Sequence, residues 1–462
     1  MQQRTDHAVV IGGSMGGLLA ARVLSERFDR VTVLDRDTMP PVGEQRRGVP
    51  QGRHAHALLG RGREVLEDLF PGLTDDLVAR GAVTGDPQAT TRWINERHRM
   101  RRAPSGLLGL AVSRPLLEGV VRQRLGDLHN VEIVARTDVT GLVTDEDATR
   151  VTGVRARHRD HREVRELSAD LVVDAAGRGS PGATWLAALG YAEPSREEVR
   201  IDTAYASRLY RRTPGDLDDD RAVISAATPG IPRFGVIIAL EGDRWIVTMG
   251  GMFGEAVPSD PDGHRAFAAS LACDDIAEFL RDAEPLDDLV RARYPASVRR
   301  RYERVKRFPE GYLVFGDAIC SFNPIYGQGM TVAACEALVL RRCLQAGTGR
   351  LARRFFRQAA RVIDGPWDIA VGGDLRFPDV EGHRTVRVRV VNAYLSRLHL
   401  AASRDPAVGL AFLRVANLLD HPARLLSPAV ALRVARAHLR RPEPSDQPAA
   451  VADRAVTLEV TP

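Results

Sequence analysis

A glycine-rich turn near the start of the chain has the residue types and spacing that bind a pyrophosphate. It follows the apolar run AVVI, a predicted buried strand, and precedes LLAARVLSERF, whose apolar residues have helical spacing. The turn consists of Gly12, Gly13, Ser14, Met15, Gly16 and Gly17. We expect Gly12 to permit the tight turn, Gly17 to let the helix pack closely on the sheet, and the small Ser14 to let the backbone approach a phosphate. The amides and positive dipole end of the helix would bind the pyrophosphate.

Asp35 ends the next apolar run, VTVLD, and its carboxylate could accept hydrogen bonds from the hydroxyls of a ribose. Arg36 follows directly and belongs to the same predicted site. Strand, turn, helix and strand in this order predict a βαβ unit that binds a dinucleotide. The alternative is a structural glycine turn that binds no ligand.

A second stretch, FGDAICSFNPIYGQGM, places a lone acid after a predicted buried strand and two glycines before a helix-forming run. Its candidate ligand residues are Gly316, Asp317, Pro324, Gly327, Gly329 and Met330. The helix start would offer free amides to a ligand. The alternative is an ordinary strand, loop and helix.

Between these stretches, SADLVVDAAGRGSPGATWLAALG contains a further buried strand, a Gly/Ser-rich turn and a helix. With the βαβ unit, this order resembles the FAD-binding domain of the group A monooxygenases, the p-hydroxybenzoate hydroxylase type, although Ala176-Gly177 replaces their usual Asp-Gly pair. The resemblance implies that Asp317 accepts a hydrogen bond from the ribityl chain of FAD and that Pro324 lies near the reactive edge of the flavin. It also implies that the helix start at Gly327 to Met330 faces the flavin N1 and C2 carbonyl, where its dipole stabilises the reduced ring.

Four stretches make the resemblance specific to one group within this family. They are RRGVPQGRHAHALL (46–59), SRPLLEGVVRQRL (113–125), RFGVIIALEGDRWIVTMGG (233–251) and FNPIYGQGM (322–330). They look like the bacterial flavin epoxidases of polyether biosynthesis, of the monensin and lasalocid epoxidase type, which are distant relatives of squalene epoxidase. DGPWDIAVGGDLRFPDVEG (364–382) is similar to that wider group, and the resemblance covers about residues 5–385.

The stretch RRGVPQGRHAHALL lies where this family passes the flavin. Arg46 and Arg53 could pair with the pyrophosphate or the adenosine ribose. His54 and His56 share one face of an extended segment and could line the flavin or contact substrate, and His56 is, with Pro324, a candidate for the flavin edge. A solvated basic loop is the alternative. A metal site is not expected, because no further ligand lies at a suitable spacing.

The resemblance implies two further FAD contacts. SRPLLEGVVRQRL is predicted to form a helix with Pro115 at its first position, and the family's arginine that reaches FAD corresponds to Arg114. Val139 lies where the family's backbone contacts adenine. Any core valine would have the same appearance in the sequence.

The predicted fold class is α/β, with a Rossmann-like FAD-binding domain of the p-hydroxybenzoate hydroxylase and glutathione reductase type, an antiparallel-sheet substrate domain and C-terminal helices. The predicted boundaries are 1–85, 105–190 and 300–345 for the FAD-binding domain, 86–104 and 191–299 for the substrate domain, 346–441 for the helical region and 442–462 for a flexible tail. The candidates for the substrate pocket are Tyr205, Tyr210, Phe234, Trp245 and Met249. Each of them could instead be a core residue.

Composition excludes several classes of protein. The net charge is +5 and the basic residues are interleaved with acids, so no nucleic-acid partner is expected. The four cysteines form no Cys-x-x-Cys pair and the chain begins with polar residues and a strand, which favours a reduced, cytoplasmic location without a signal peptide. The arginine-rich amphipathic helices near the C-terminus could cap the pocket or touch a membrane or a carrier protein, but packing against the flavin domain is favoured.

The resemblance implies a monooxygenase in which NAD(P)H reduces FAD, O2 adds at flavin C4a and the resulting hydroperoxide delivers one oxygen atom. Epoxidation of an alkene needs no side-chain base, whereas phenol hydroxylation would gain from one, and the sequence shows no obvious base. We therefore expect epoxidation, or hydroxylation, of an apolar polyketide or terpenoid in secondary metabolism such as antibiotic biosynthesis. The alternatives are an alkene reductase or dehydrogenase, an aromatic hydroxylase, a flavin halogenase and a non-enzymatic flavoprotein. RWINER lacks the Trp-x-Trp-x-Ile-Pro motif usual in halogenases.

Overall fold

The structure, a computed structural model, describes residues 5–161 and 163–439. The predicted tail at 442–462 and the end of the predicted helical region at 440–441 lie outside the described residues, as do residues 1–4. The strands are β1 (Thr5–Ile11), β2 (Phe28–Leu34), β3 (Val83–Gly85), β4 (Thr91–Asn95), β5 (His98–Arg99), β6 (Gly109–Ala111), β7 (Val131–Val134), β8 (Thr137–Thr144), β9 (Val151–His158), β10 (Arg165–Ser168), β11 (Leu171–Asp174), β12 (Arg196–Arg211), β13 (Ala222–Ser225), β14 (Arg233–Leu240), β15 (Arg244–Gly251), β16 (Val290–Arg300), β17 (Tyr312–Val314) and β18 (Cys320–Ser321). The helices are α1 (Met15–Leu24), α2 (Gly60–Leu69), α3 (Leu73–Ala79), α4 (Arg114–Gly126), α5 (Gly182–Ala188), α6 (Pro261–Ala268), α7 (Asp275–Asp282), α8 (Gly329–Gln345), α9 (Leu351–Asp374), α10 (Val386–Arg404), α11 (Pro406–Ala416) and α12 (Pro428–Leu439).

A five-stranded parallel sheet of order β17-β11-β1-β2-β7 carries the largest core. The runs AVVI in β1 and LVVD in β11 are buried throughout, as parallel strands covered on both faces should be. Because the strands are parallel, their carboxyl ends share one edge. That edge brings the glycine turn after β1 close to the Gly-Asp motif after β17.

An eight-stranded sheet of order β18-β16-β12-β15-β14-β13-β4-β5 covers this edge. Its strand pairs are antiparallel except for β4 and β13, which are parallel. One face packs on α6 and α7 in a separate hydrophobic core. β18 belongs to the segment after the Gly-Asp motif, so this sheet is tied directly to that motif.

Two small sheets and the C-terminal helices complete the described chain. β8, β9 and β10 form an antiparallel meander, and β3 pairs with β6. Helices α10 to α12 share a hydrophobic core of their own. No helix among the described residues has the length and apolarity needed to cross a membrane. The parallel sheet, the antiparallel sheet and the C-terminal helices confirm the predicted fold class.

Candidate functional site

A cleft of about 1930 Å³ runs between the parallel sheet, the eight-stranded sheet and the C-terminal helices. Ligand pockets usually have roughly 300–1,000 Å³, so this cleft has room for more than one small molecule. The carboxyl edge of the parallel sheet contributes residues of both sequence motifs, from Ser14 to Gly16 and from Phe315 to Met330. The cleft therefore joins the two segments that the sequence singled out.

The glycine turn has the conformation that its sequence requires. Gly12 has a φ of +96°, which favours glycine, and an added Cβ there would lie 2.6 Å from the Ala175 carbonyl oxygen. An added Cβ on Gly17 would lie 1.8 Å from the Gly12 oxygen, so only glycine allows this approach of α1 to the strand. The first turn of α1 contains no acidic residue, and Ser14 and Gly16 border the cleft there. The positive end of the helix dipole thus faces the cleft.

Asp35 is buried at the end of β2 and is used by protein groups. Its carboxylate accepts hydrogen bonds from the amides of Gly13 (2.6 Å) and Asp37 (2.8 Å) and pairs with Arg46 at 3.1 Å. A carboxylate has about four acceptor positions, so one remains for a ribose hydroxyl. Asp35 thus supports the glycine turn from outside the cleft lining, and its predicted ribose contact stays a prediction.

Two predicted cofactor arginines do not face the cleft. Arg46 is buried and pairs with Asp35, with Asp37 at 3.8 Å and with Glu118 at 2.8 Å. Arg46 thus lies among three carboxylates outside the cleft lining, and its predicted pairing with the pyrophosphate or the adenosine ribose stays a prediction. Arg53 is exposed outside the cleft lining, whereas Arg36 is part of it. Val139 pairs with Ala156 in the small meander and is likewise outside the lining.

The Gly-Asp motif meets the glycine turn inside the molecule. An added Cβ on Gly316 would lie 4.0 Å from the Cα of Gly16, and Gly316 has a φ of +65°. The side chain of Asp317 is exposed to the cleft, and its carboxylate has no hydrogen-bond partner in the described chain. Burial by the surrounding protein raises the pKa of Asp317, while the positive charges of Arg114 and Arg178 oppose the rise. A free acceptor therefore lies deep in the cleft.

The segment after Asp317 turns sharply and then begins α8. Pro324 is exposed to the cleft, and Gly327 has a φ of +64° and lies against Ala57. α8 begins at Gly329 without an acid in its first turn, and an added Cβ on Gly329 would lie 3.7 Å from Asp317 Oδ1. The amino end of α8, with Met330, thus faces the cleft beside the free carboxylate.

Two buried acids below this segment were not predicted from the sequence. Glu336 on α8 accepts a hydrogen bond from the Gly316 amide at 2.9 Å, and its Oε1 has no hydrogen-bond partner within the part of the chain that the structure describes. Burial raises the pKa of Glu336 to about 8, although the Gly316 hydrogen bond opposes the rise. Burial also raises the pKa of Asp374, at the end of α9, to about 7. Their signal in the sequence is weak: Glu336 lies two helical turns after Gly329, and Asp374 lies within the DGPWDIAVGGDLRFPDVEG stretch.

His54 and His56, the two histidines of the stretch RRGVPQGRHAHALL, both border the cleft. His54 Nδ1 lies 2.8 Å from Ser207 Oγ, which connects this stretch to β12. His56 Nδ1 lies 2.9 Å from the His54 carbonyl oxygen, and a carbonyl only accepts, so Nδ1 is protonated and Nε2 is an acceptor. Burial, with the nearby charge of Arg114, lowers the pKa of His56 to about 4. His56 is therefore neutral near pH 7.

Arg114 begins α4 and lines the cleft, and its implied contact with FAD stays a prediction. Its Nε donates a hydrogen bond to Glu118 at 2.9 Å. Glu118 also pairs with Arg46, so one buried carboxylate orients both arginines. Such fixed cationic groups are suited to an anionic or hydrogen-bonding ligand.

The open face of the eight-stranded sheet and the C-terminal helices form an apolar part of the cleft. Of the predicted pocket residues, Tyr205 and Phe234 border it. Trp245, Met249 and Tyr210 instead pack in the core against α6 and α7, which corrects the prediction. The reason is strand alternation: on β15, Thr248 faces the cleft and its neighbours face the core. Further apolar lining residues are Trp93, Leu110, Ile224, Val236, Ile238, Val391, Tyr394, Leu395, Phe412 and Val415.

These residues fit FAD. The first turn of α1 offers amides for a pyrophosphate, and the free Asp317 carboxylate can accept a hydrogen bond from a sugar-alcohol chain. The amino end of α8 can stabilise negative charge on a bound ring. No group of three or more His, Cys, Asp or Glu side chains suited to a metal ion occurs within residues 5–161 and 163–439.

Solved flavoprotein structures share this fold. The flavoprotein/dehydrogenase from Cytophaga hutchinsonii has a TM-score of 0.66 and 16% identity, over 95% of this chain and 98% of that chain. The flavin-dependent brominase Bmp2 has a TM-score of 0.64 and 16% identity, over 94% and 98%. PqsL, a probable FAD-dependent monooxygenase from Pseudomonas aeruginosa, has a TM-score of 0.60 and 17% identity, over 80% and 97%. The fold is therefore that of FAD-dependent monooxygenases and halogenases.

No family model matches the sequence. Among curated proteins, Rv3254 of Mycobacterium tuberculosis is 36% identical over 431 residues, which is 90% of this chain and 90% of that protein. The chain therefore belongs to the same protein family as Rv3254 of Mycobacterium tuberculosis.

Proposed function

We propose that this protein binds FAD and uses NAD(P)H and O2 to insert one oxygen atom into an apolar small molecule. The observation that carries the proposal is the meeting of the glycine turn, the free Asp317 carboxylate and the amino end of α8 in one cleft. The shared fold with FAD-dependent monooxygenases supports it. When bound, FAD would accept hydride from NAD(P)H and activate O2.

The residues of the chain would bind and orient the cofactor. The α1 amides near Ser14 and Gly16 would hold the pyrophosphate, and Asp317 would accept a hydrogen bond from the ribityl chain. The amino end of α8 would lie along the flavin ring, with Pro324 near its edge. Arg114 would add positive charge on the other side of the cleft.

The substrate would occupy the apolar part of the cleft. Phe234, Val236 and Ile238 alternate along β14 toward the cleft, and Leu395 and Phe412 close it from the C-terminal helices. Such a wall would exclude water, which an oxygen-transfer site needs in order to avoid loss of oxidising equivalents. We propose a polyketide or terpenoid as the substrate, in line with the resemblance to polyether epoxidases.

Epoxidation is favoured over phenol hydroxylation. The His56 imidazole lines the cleft and could accept a proton at Nε2, yet its pKa of about 4 makes it a weak base for a phenol. Glu336 and Asp374, whose pKa values are raised, are fully buried. Asp317, whose pKa burial also raises, would be occupied by the ribityl chain of FAD. An alkene needs no such base, which is why the site fits an alkene better.

A direct test uses the purified protein saturated with FAD. We expect NADPH oxidation to rise when an apolar polyene is added and labelled oxygen from O2 to appear in the product. A reduced product without label would indicate an alkene reductase, and a product that requires bromide or chloride would indicate a halogenase. Protein that stays colourless after incubation with FAD would overturn the proposal.

A further inference from the structure

Asp374 connects the C-terminal helices to the turn that carries Pro324. It is the last residue of α9 and is fully buried. Its Oδ1 accepts two hydrogen bonds at 3.0 Å, from Asn323 Nδ2 and from the Tyr326 hydroxyl. Asn323 and Tyr326 flank Pro324 on both sides, so one carboxyl oxygen holds both sides of the cleft-facing proline.

Further hydrogen bonds and packing contacts hold the turn from Asn323 to Gly327 in place. The Asn323 amide donates to Ser297 Oγ at 2.9 Å, and Asn323 Oδ1 accepts from the Ile325 amide at 3.3 Å. The Tyr326 ring lies on the backbone of α9, where a Cβ added at Gly373 would be 2.3 Å from the Tyr326 oxygen. A side chain at Gly373 would therefore displace the tyrosine from Asp374.

We propose that Asp374 is a positioning residue of the oxidation site, which holds the turn from Asn323 to Gly327 so that Pro324 and the amino end of α8 meet the flavin edge in a fixed geometry. This inference rests on the proposed function. Asp374 acts only through its neighbours, since it does not border the cleft itself. The Asp374 Oδ2 atom has no hydrogen-bond partner among the described residues, so the hydrogen bonds that this side chain makes there are those to the turn.

Four variants separate positioning from general stability. Asp374→Ala removes the acceptor, Asp374→Asn keeps an oxygen acceptor of the same shape, and Asp379→Asn changes an exposed acid of the same segment as a control. Tyr326→Phe removes one of the two hydrogen bonds and keeps the ring, and it serves if Asp374→Ala does not fold.

The first measurement needs no cofactor. We expect hydrogen exchange in the peptide that contains Asn323 to Gly327 to become about tenfold faster in Asp374→Ala, and several-fold faster in Tyr326→Phe, because a buried donor loses its acceptor. Asp374→Asn and Asp379→Asn should exchange like the wild type. Unchanged exchange in both Asp374→Ala and Tyr326→Phe would overturn the inference.

The second measurement concerns the bound flavin. In the FAD-saturated proteins, Asp374→Ala should change the visible absorption spectrum of FAD and lower the fraction of NADPH oxidation that yields oxygenated product, with rescue in Asp374→Asn. A lower melting temperature without either change would mean a merely structural role and would contradict the inference. Wild type that binds no FAD would overturn the proposed function, whereas the exchange measurement would still decide whether Asp374 holds the turn.

Discussion

The carboxyl groups of Asp317, Glu336 and Asp374 lie in or near the FGDAICSFNPIYGQGM stretch, each in a different environment. Asp317 is exposed to the cleft without a partner, whereas Glu336 and Asp374 are fully buried and hydrogen-bonded to the backbone or side chains that frame it. An accessible acceptor can bind a ligand, but a buried acid with a raised pKa is neutral at lower pH and shapes the site. The three acids should therefore respond differently to substitution.

Asp317→Ala should weaken FAD binding and leave the cofactor-free protein as stable as the wild type. The carboxylate contacts no described protein donor, so only the ligand loses a hydrogen bond to a charged group. Such a bond contributes about 1.5–3 kcal/mol, which corresponds to a roughly 10- to 100-fold higher dissociation constant. Titration with FAD and thermal unfolding of both proteins test this. An unchanged FAD affinity would exclude Asp317 from the cofactor site.

Glu336 should make the stability of the protein pH-dependent. Its pKa is raised to about 8, so between the value of an unfolded glutamate, about 4.3, and 8 the folded protein keeps a proton that the unfolded chain has lost. The contribution of Glu336 to the free energy of unfolding is therefore fully present below about pH 4.3. It is lost as the pH rises to about 8, by at most about 1.4 kcal/mol per pH unit.

Glu336→Gln removes this dependence. As the pH rises from about 5 to about 8, the free energy of unfolding of the wild type should fall relative to that of Glu336→Gln. Urea unfolding at several pH values measures the difference, with the exposed Glu146→Gln as the control. Curves for wild type and Glu336→Gln that stay parallel would contradict the raised pKa.

At the scale of elements, the close approach of α1 to the end of β1 builds the glycine turn. Gly17→Ala would place a methyl group 1.8 Å from the Gly12 oxygen, and we expect it to destabilise the protein by about 3 kcal/mol or more. Gly16→Ala is the matched control, because its methyl group would meet only Phe315 at 3.8 Å. Its stability should change by no more than about 1 kcal/mol, in the stabilising direction, since alanine favours a helix. Equal melting temperatures of the two variants would contradict this packing.

The elements themselves were largely readable from the sequence, because apolar runs and glycine turns are local signals. The runs in β1 and β11, the helix at Arg114 and the start of α8 lie where predicted. The sequence does not show which face of a strand borders the cleft. Trp245 and Met249 were therefore predicted to line the pocket, whereas on β15 they face the core. The carboxylates around Arg46 include Glu118, far away in sequence, and such a long-range contact has no local signal.

At the scale of the molecule, distant parts of the chain meet around one cleft. The C-terminal helices are fastened to the sheet by Glu96, which accepts hydrogen bonds from Arg376 and from Ser396 Oγ at 2.9 Å. Burial alone would raise the pKa of Glu96, but nearby His399 and Arg376 lower it to about 2. The charged Glu96 thus connects the eight-stranded sheet to the C-terminal helices, which line the cleft on two sides. The apolar part of the cleft depends on both.

The apolar part of the cleft is lined by the eight-stranded sheet and the C-terminal helices, and we expect FAD to occupy the part beside the glycine turn and Asp317. Filling the apolar part should therefore affect only the substrate. Ile224 borders the cleft from β13, on the strand face opposite to the core residue Val223. Ile224→Trp should leave the FAD dissociation constant within about twofold and raise KM for bulky apolar substrates about tenfold or more, because the larger ring takes their volume. Smaller alkenes should be affected less. Val164→Trp, at an exposed position outside the cleft lining, is the control. A loss of FAD affinity in Ile224→Trp equal to its effect on substrate would mean that cofactor and substrate do not occupy separate parts of the cleft.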